Sequence, residues 1–210
     1  MTLYKFMERQ YAGSLLASGS IRIGTIFDFR DSRYEDGIRD EDEGKRHLYT
    51  YVAEKKVTSD SDPWLEKHRF IGVGNMASVT LVNCAFSTAV ECPDHHVLCL
   101  SLSPTANVDV NSLSYEACLE ICYPRSFFRA ISREMKLQFG ATYVGRFDVR
   151  YGNRVSTQAV DDGQFAGLLK DPKYSYQREH RALWRAREGT AIKPEILQVA
   201  NLGRYCRLVN

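Results

Sequence analysis

Two neighbouring β-type runs constrain the fold of this chain most. Ser78–Ser87 and His96–Ser103 are rich in Val and Leu, and a polar stretch around Glu91–Asp94 separates them as a turn. Further strand patterns fall at Leu3–Phe6, Ile21–Phe27, Leu48–Val57, Ala141–Tyr151, Tyr174–Trp184 and Val199–Val209. Helical spacing is confined to a few places. Glu8–Ser18 carries Tyr11, Leu15 and Leu16 and meets Gly19 as a stop. Leu113–Cys122 reads as a short helix. Pro124 opens another, with Phe128, Ile131 and Met135 in one apolar stripe and Gly140 at its end. Gln164–Leu169 adds one or two turns. Asp28–Lys45 is charged and turn-rich and reads as a surface loop, and Ser59–Pro63 breaks the chain. Strands outnumber helices and do not alternate regularly with them. The expectation is therefore one α+β domain over residues 1–210, a mostly antiparallel mixed sheet with flanking helices.

The same pattern excludes several classes. There is no G-x-G-x-x-G and no G-x-x-x-x-G-K-S/T, which argues against Rossmann and P-loop nucleotide enzymes. No apolar run approaches the roughly 20 residues of a membrane span. The opening M-T-L-Y-K-F-M-E-R-Q lacks the apolar centre of a signal peptide, so a cytoplasmic protein with no membrane partner is expected. A net charge of +2 neither requires nor forbids a nucleic-acid partner. The six cysteines are scattered, several within apolar runs, and read as reduced core thiols. Cys92, His95 and His96 lie close in sequence, but no C-x-x-C pair completes a zinc set.

The chemistry-bearing stretch is Lys173–Arg185, K-Y-S-Y-Q-R-E-H-R-A-L-W-R. One carboxylate, Glu179, stands among Arg178, His180 and Arg181, framed by Tyr174, Tyr176 and Trp184. An acid among cations stays ionised, and one aimed into a cleft can steady a developing positive charge. On a strand from Tyr174, Gln177, Glu179, Arg181 and Leu183 share one face. His180 then points away, which removes it as a general base. The competing reading is a half-exposed strand with a surface ion pair, worth about 0–1 kcal/mol.

These features resemble a bacterial and phage protein family of unassigned activity. Its members begin L-Y-K-Y/F, continue with a short strand into a loop, carry a central F/L-C-F/L-S strand, and end in a Y-x-x-E segment rich in basic residues. Here those elements are Leu3-Tyr4-Lys5-Phe6, Ser20–Asp31, either Cys84–Thr88 or Leu98–Ser101, and Tyr176–Arg181. The group is similar in layout to the ADP-ribosyltransferase superfamily, which uses NAD as substrate. The resemblance implies an ADP-ribosyltransferase-like fold with Glu179 as catalytic carboxylate. It implies NAD contacts from Tyr4 and Lys5 or Arg22 on the first strands, from Ser87 and Thr88 (with Ser101 as rival) in the middle, and from Tyr176 and Arg181 late. Lys5 stands where that superfamily has His or Arg. The implied reaction is ADP-ribose transfer to a macromolecule, protein or nucleic acid, or NAD hydrolysis, in a toxin or phage–host conflict setting.

Two other function classes stay open at this point. One is a nucleotide- or protein-binding module on the same fold without turnover. The other is a metal-dependent nucleic-acid enzyme, suggested by the acidic run Asp36–Lys45, in which Glu43-Gly44-Lys45 matches an E-x-K pattern. That pattern belongs on an apolar strand, and the run reads first as a solvated loop. Arg125, Arg129 and Arg133 recur every four residues as one basic stripe, read first as a solvent face.

Overall fold

The computed structural model describes residues 1–34, 39–58, 62–71, 78–105, 115–157 and 165–209. The chain opens with β1 (Leu3–Met7), α1 (Arg9–Ser18) and β2 (Ser20–Thr25). A long ribbon follows, β3 (Lys45–Thr58) and β4 (Ser78–Glu91), bridged through α2 (Pro63–Lys67). Next come β5 (His96–Ser101), β6 (Ala117–Ile121), α3 (Pro124–Phe139) and β7 (Thr142–Asp148). The remainder holds β8 (Arg150–Tyr151), β9 (Val155–Thr157), β10 (Leu169–Lys170), β11 (Glu179–Arg185), β12 (Glu195–Gln198) and β13 (Cys206–Val209). The result is a β-rich mixed α/β protein with largely antiparallel sheets. Its parallel pairings among the described residues are β3 with β9 and β8 with β10. No helix of the described residues is long and apolar enough to cross a membrane.

The main sheet runs β12-β2-β5-β1-β6-β13, with β11 and then β7 on the far side of β5. One face of it forms the larger core. Leu98 and Leu100 of β5, Ala182 and Trp184 of β11, and Leu119 and Ile121 of β6 meet Leu15 of α1 and Phe127, Ile131 and Met135 of α3 there. The Trp184 indole Nε1–H donates to Ser132 Oγ of α3 at 2.9 Å. α3 is amphipathic as its stripe predicts, with Arg125, Arg129 and Arg133 exposed. Gly19 caps α1 at φ 75°, where its N–H reaches the Leu15 carbonyl and a side chain would collide with the Val199 carbonyl.

Four sequence expectations need correction. Residues 117–121 are strand, not helix; Ala117, Leu119 and Ile121 alternate inward, and β1 and β13 pair both edges. Those pairings override a local helical spacing (113 and 114 lie outside the described residues). The strand expected from Tyr174 begins only at Glu179, because Pro172–Gln177 form a 3-10 helix capped by the Asp171 side chain. Val199–Val209 is interrupted by a 3-10 turn, Leu202–Tyr205, so only β13 is strand there. The loop Asp28–Lys45 holds a 3-10 turn at Phe27–Arg30, and Lys45 already belongs to β3. Its residues 35–38 lie outside the described ones. Its described carboxylates are not all solvated: Glu43 is 0% exposed.

Candidate functional site

β5 shares one edge with two strands. β11 covers its other edge along the whole length, from Glu179 opposite Ser101 to Trp184 opposite His96. On the shared edge, β2 pairs only with His96 and Val97, and β1 only with Ser101. Leu98, Cys99 and Leu100 therefore have no strand partner there, and the sheet forks. A cavity of about 190 Å³ occupies the fork. Lys5 and Phe6 line it from β1, Arg22 and Gly24 from β2, residues 97–101 from β5, and Glu179 from β11. Phe29, Tyr34, Tyr115, Lys170 and Gln177 complete the wall.

Glu179 is 5% exposed and heavily contacted. Arg181 donates Nε to its Oε1 at 2.9 Å and Nη2 to its Oε2 at 3.1 Å. Lys170 donates Nζ to Oε2 at 3.0 Å, and the Cys99 thiol also hydrogen-bonds the carboxylate. Burial alone would favour the neutral acid. The charges of Arg181 and Lys170 outweigh it and hold Glu179 well below the usual carboxylate range.

Arg181 lies behind this acid, fully buried, with all five N–H donors satisfied. Besides Glu179, its Nη1 donates to Glu43 Oε1 at 2.7 Å and to the Gly167 carbonyl at 2.6 Å, and Nη2 reaches Glu43 Oε2 at 3.0 Å. Two carboxylates thus clamp one guanidinium. Lys170 spans from Glu179 to Gln177 Oε1 at 2.6 Å, and its neighbouring carboxylates raise its ammonium pKa against the effect of burial. The Tyr151 hydroxyl accepts the Glu179 backbone N–H at 2.6 Å, and burial pushes that phenol to about 12.

Lys5 differs from Lys170. It makes no hydrogen bond or ion pair with a described residue, and burial lowers its pKa, with Cys99 and Glu179 opposing and Arg22 adding to the fall. Arg22 sits at the rim, its side chain 45% exposed, held by Asp28 and by the Tyr34 hydroxyl at 2.6 Å. The Tyr34 hydroxyl in turn donates to Asp28 at 3.0 Å.

The cavity thus brings together Lys5, Arg22 and Glu179. It does not collect the other expected residues. Tyr4 lies on β1 opposite Ser101 and is not in the wall. Ser87 and Thr88 lie on β4, opposite Tyr49 and Leu48 in the separate β4-β3-β9 sheet, away from the wall. The middle-strand residue of the wall is Ser101, whose hydroxyl donates to the Gln177 carbonyl at 3.0 Å. Tyr176 accepts from Gln177 Nε2 at 3.4 Å but is not in the wall, because the 3-10 turn aims Gln177 inward instead. Arg181 supports Glu179 from behind. His180 is also outside the wall, its Nδ1 2.6 Å from Asp148 Oδ1. The sequence reading does not assign Glu43, Lys170 or Cys99 to this site: Glu43 reads as part of a charged loop with a metal-nuclease pattern, Cys99 as a core thiol of a candidate central strand, and Lys170 carries no local signal.

The chain matches no protein-family model, no curated protein and no solved structure.

Proposed function

We propose that the forked cleft binds NAD and that the protein is ADP-ribosyltransferase-like, moving ADP-ribose to a macromolecular acceptor or hydrolysing NAD. The observation that carries this reading is the convergence of Lys5, Arg22 and Glu179 on one cavity from β1, β2 and the late strand β11. Lys5 and Arg22 are the two candidates for the first feature of the resemblance and Glu179 is its last, and Ser101, the rival to Ser87 for the middle feature, lines the same cavity. The cavity is smaller than the roughly 300–1,000 Å³ of clefts that bury a drug-sized ligand. It suits one end of a dinucleotide, the rest lying along the open fork. Phe6, Phe29, Tyr34 and Tyr115 offer ring faces. The unpaired edge at Leu98–Leu100 offers backbone groups to a carboxamide.

Breaking the nicotinamide–ribose bond builds oxocarbenium character on the sugar. An ionised Glu179, fixed by Arg181, stabilises that charge without reorganising. Lys170 is the contact that must yield: it can release Oε2 to a ribose hydroxyl while keeping Gln177 Oε1.

One observation favours a second reading, nucleotide binding without turnover. Arg181, Lys170 and Cys99 already occupy the Glu179 oxygens. The metal-dependent nucleic-acid reading loses support, since Arg181 engages both Glu43 oxygens. Incubation with NAD decides. Nicotinamide release by the native protein, lost in Glu179→Gln, supports the enzyme. Thermal stabilisation by NAD without release supports the binder, at about 2.7 kcal/mol when NAD is at 100 times its Kd. If NAD neither stabilises the folded protein nor is consumed, both readings fall.

A further inference from the structure

The cavity contains two lysines with opposite surroundings. Lys170 is buried against Glu179 and Gln177 and stays an ammonium. Lys5, half-buried, lines the same cavity from β1 and has no hydrogen-bond or ion-pair partner among the described residues. Of the charged and titratable groups in the same wall, Glu179 and the Cys99 thiol favour its ammonium form and Arg22 opposes it; Lys170, Tyr34 and Tyr115 line the wall as well. Burial pushes that thiol up, so it supplies no thiolate at neutral pH. Glu179 is already committed to Arg181 and Lys170. An amine without a counterion, desolvated and near another cation, tends to shed its proton and become a nucleophile. Two like groups driven apart by their environments mark a division of labour at one site.

From this arrangement we propose that Lys5 is a nucleophilic amine that forms a reversible imine with a small aldehyde entering the fork. The Lys5 Nζ lone pair attacks the carbonyl carbon, and the C=O π pair moves to oxygen, giving a carbinolamine after one proton passes from nitrogen to oxygen. The C–O bond then breaks as C=N forms. The oxygen leaves as water, carrying both former amine protons in the net balance, so no oxidant or further reactant is needed. Phe6 and Phe29 in the wall keep the site partly apolar and slow the return of water. This inference does not depend on NAD binding.

The test treats the full chain with propanal and cyanoborohydride across neutral to alkaline pH and maps alkylated amines by peptide fragmentation. Fragment ions separate Lys5 from the Met1 amine. Exposed Lys56, Lys67 and Lys136 serve as internal references. Lys5 is expected to show its labelling midpoint at lower pH than all three. Each unit of difference multiplies the neutral fraction about tenfold at neutral pH. Denatured chain is expected to lose the difference, and Lys5→Arg to lose the early-labelled site while keeping the folded circular dichroism spectrum. A Lys5 midpoint equal to the references, or no Lys5 labelling in the folded chain, overturns the proposal.

Discussion

Arg181 decides the electrostatics of the site one bond at a time. A buried guanidinium is tolerable only when its charge and all its donors are answered, and here two carboxylates and one carbonyl do so. Removing a partner leaves a buried charge unpaired. Arg181→Met is expected to destabilise the fold by about 3–5 kcal/mol, read as a lower denaturant midpoint. Glu43→Gln should also destabilise, although Glu43 does not line the cavity. An equal loss in an exposed control such as Glu66→Gln would show that the clamp adds nothing. The pH dependence has a definite sign. Glu179 has a depressed folded pKa, so its contribution is complete above the ordinary glutamate value of about 4.3 and is lost as pH falls from there toward the folded value. Acid unfolding of Glu179→Gln should therefore show a shallower loss of stability in that window than the native chain does.

At the scale of elements, the site depends on where strands stop. β1 and β2 are joined through α1 and both run antiparallel to β5, yet each pairs with a different end of it. The segment after β10 caps itself with Asp171 and Pro172, so the backbone arrives at Glu179 from a 3-10 turn through Arg178 at φ 44°. The loop that brings Glu43 inward turns at Gly44, φ 71°, where an added Cβ would lie 2.8 Å from Ile26 Cγ2 and 2.9 Å from Cys92 Sγ. Gly44→Ala combines left-handed strain with that crowding and is expected to cost about 1–3 kcal/mol, measured by urea unfolding. The seat of α3 rests partly on the Trp184–Ser132 bond. Ser132→Ala leaves a buried indole N–H unsatisfied and should cost about 1–3 kcal/mol.

Across the whole molecule, order is unevenly distributed. β5 and β11 are buried along almost their full length, whereas most of β4 is exposed. The β3–β4 ribbon has its own small cluster of Val57, Leu65 and Leu81. Amide exchange should therefore be slowest in β5 and β11 and markedly faster through the middle of β4. Equal protection in both would mean that the ribbon is no separate unit of stability.

Much of the scaffold was legible from residue order. The α1 stop at Gly19, the α3 stripe from Pro124 to Gly140 and the β-type runs of β4 and β5 follow from local sterics and the spacing of apolar side chains, which act within a few residues. Glu179 stood out because cations and aromatic residues flank it in sequence. The Glu43 clamp, the choice of Ser101 over Ser87 and the strand identity of residues 117–121 were decided by tertiary structure alone. Each rests on a partner between 76 and 138 residues away, Gln177 meeting Ser101 at the near end of that range and Arg181 meeting Glu43 across the core at the far end. Burial converts such distant meetings into strong interactions, because low dielectric makes a charge seek whatever counter-charge the fold brings near. A periodicity confined to one segment carries no record of that meeting.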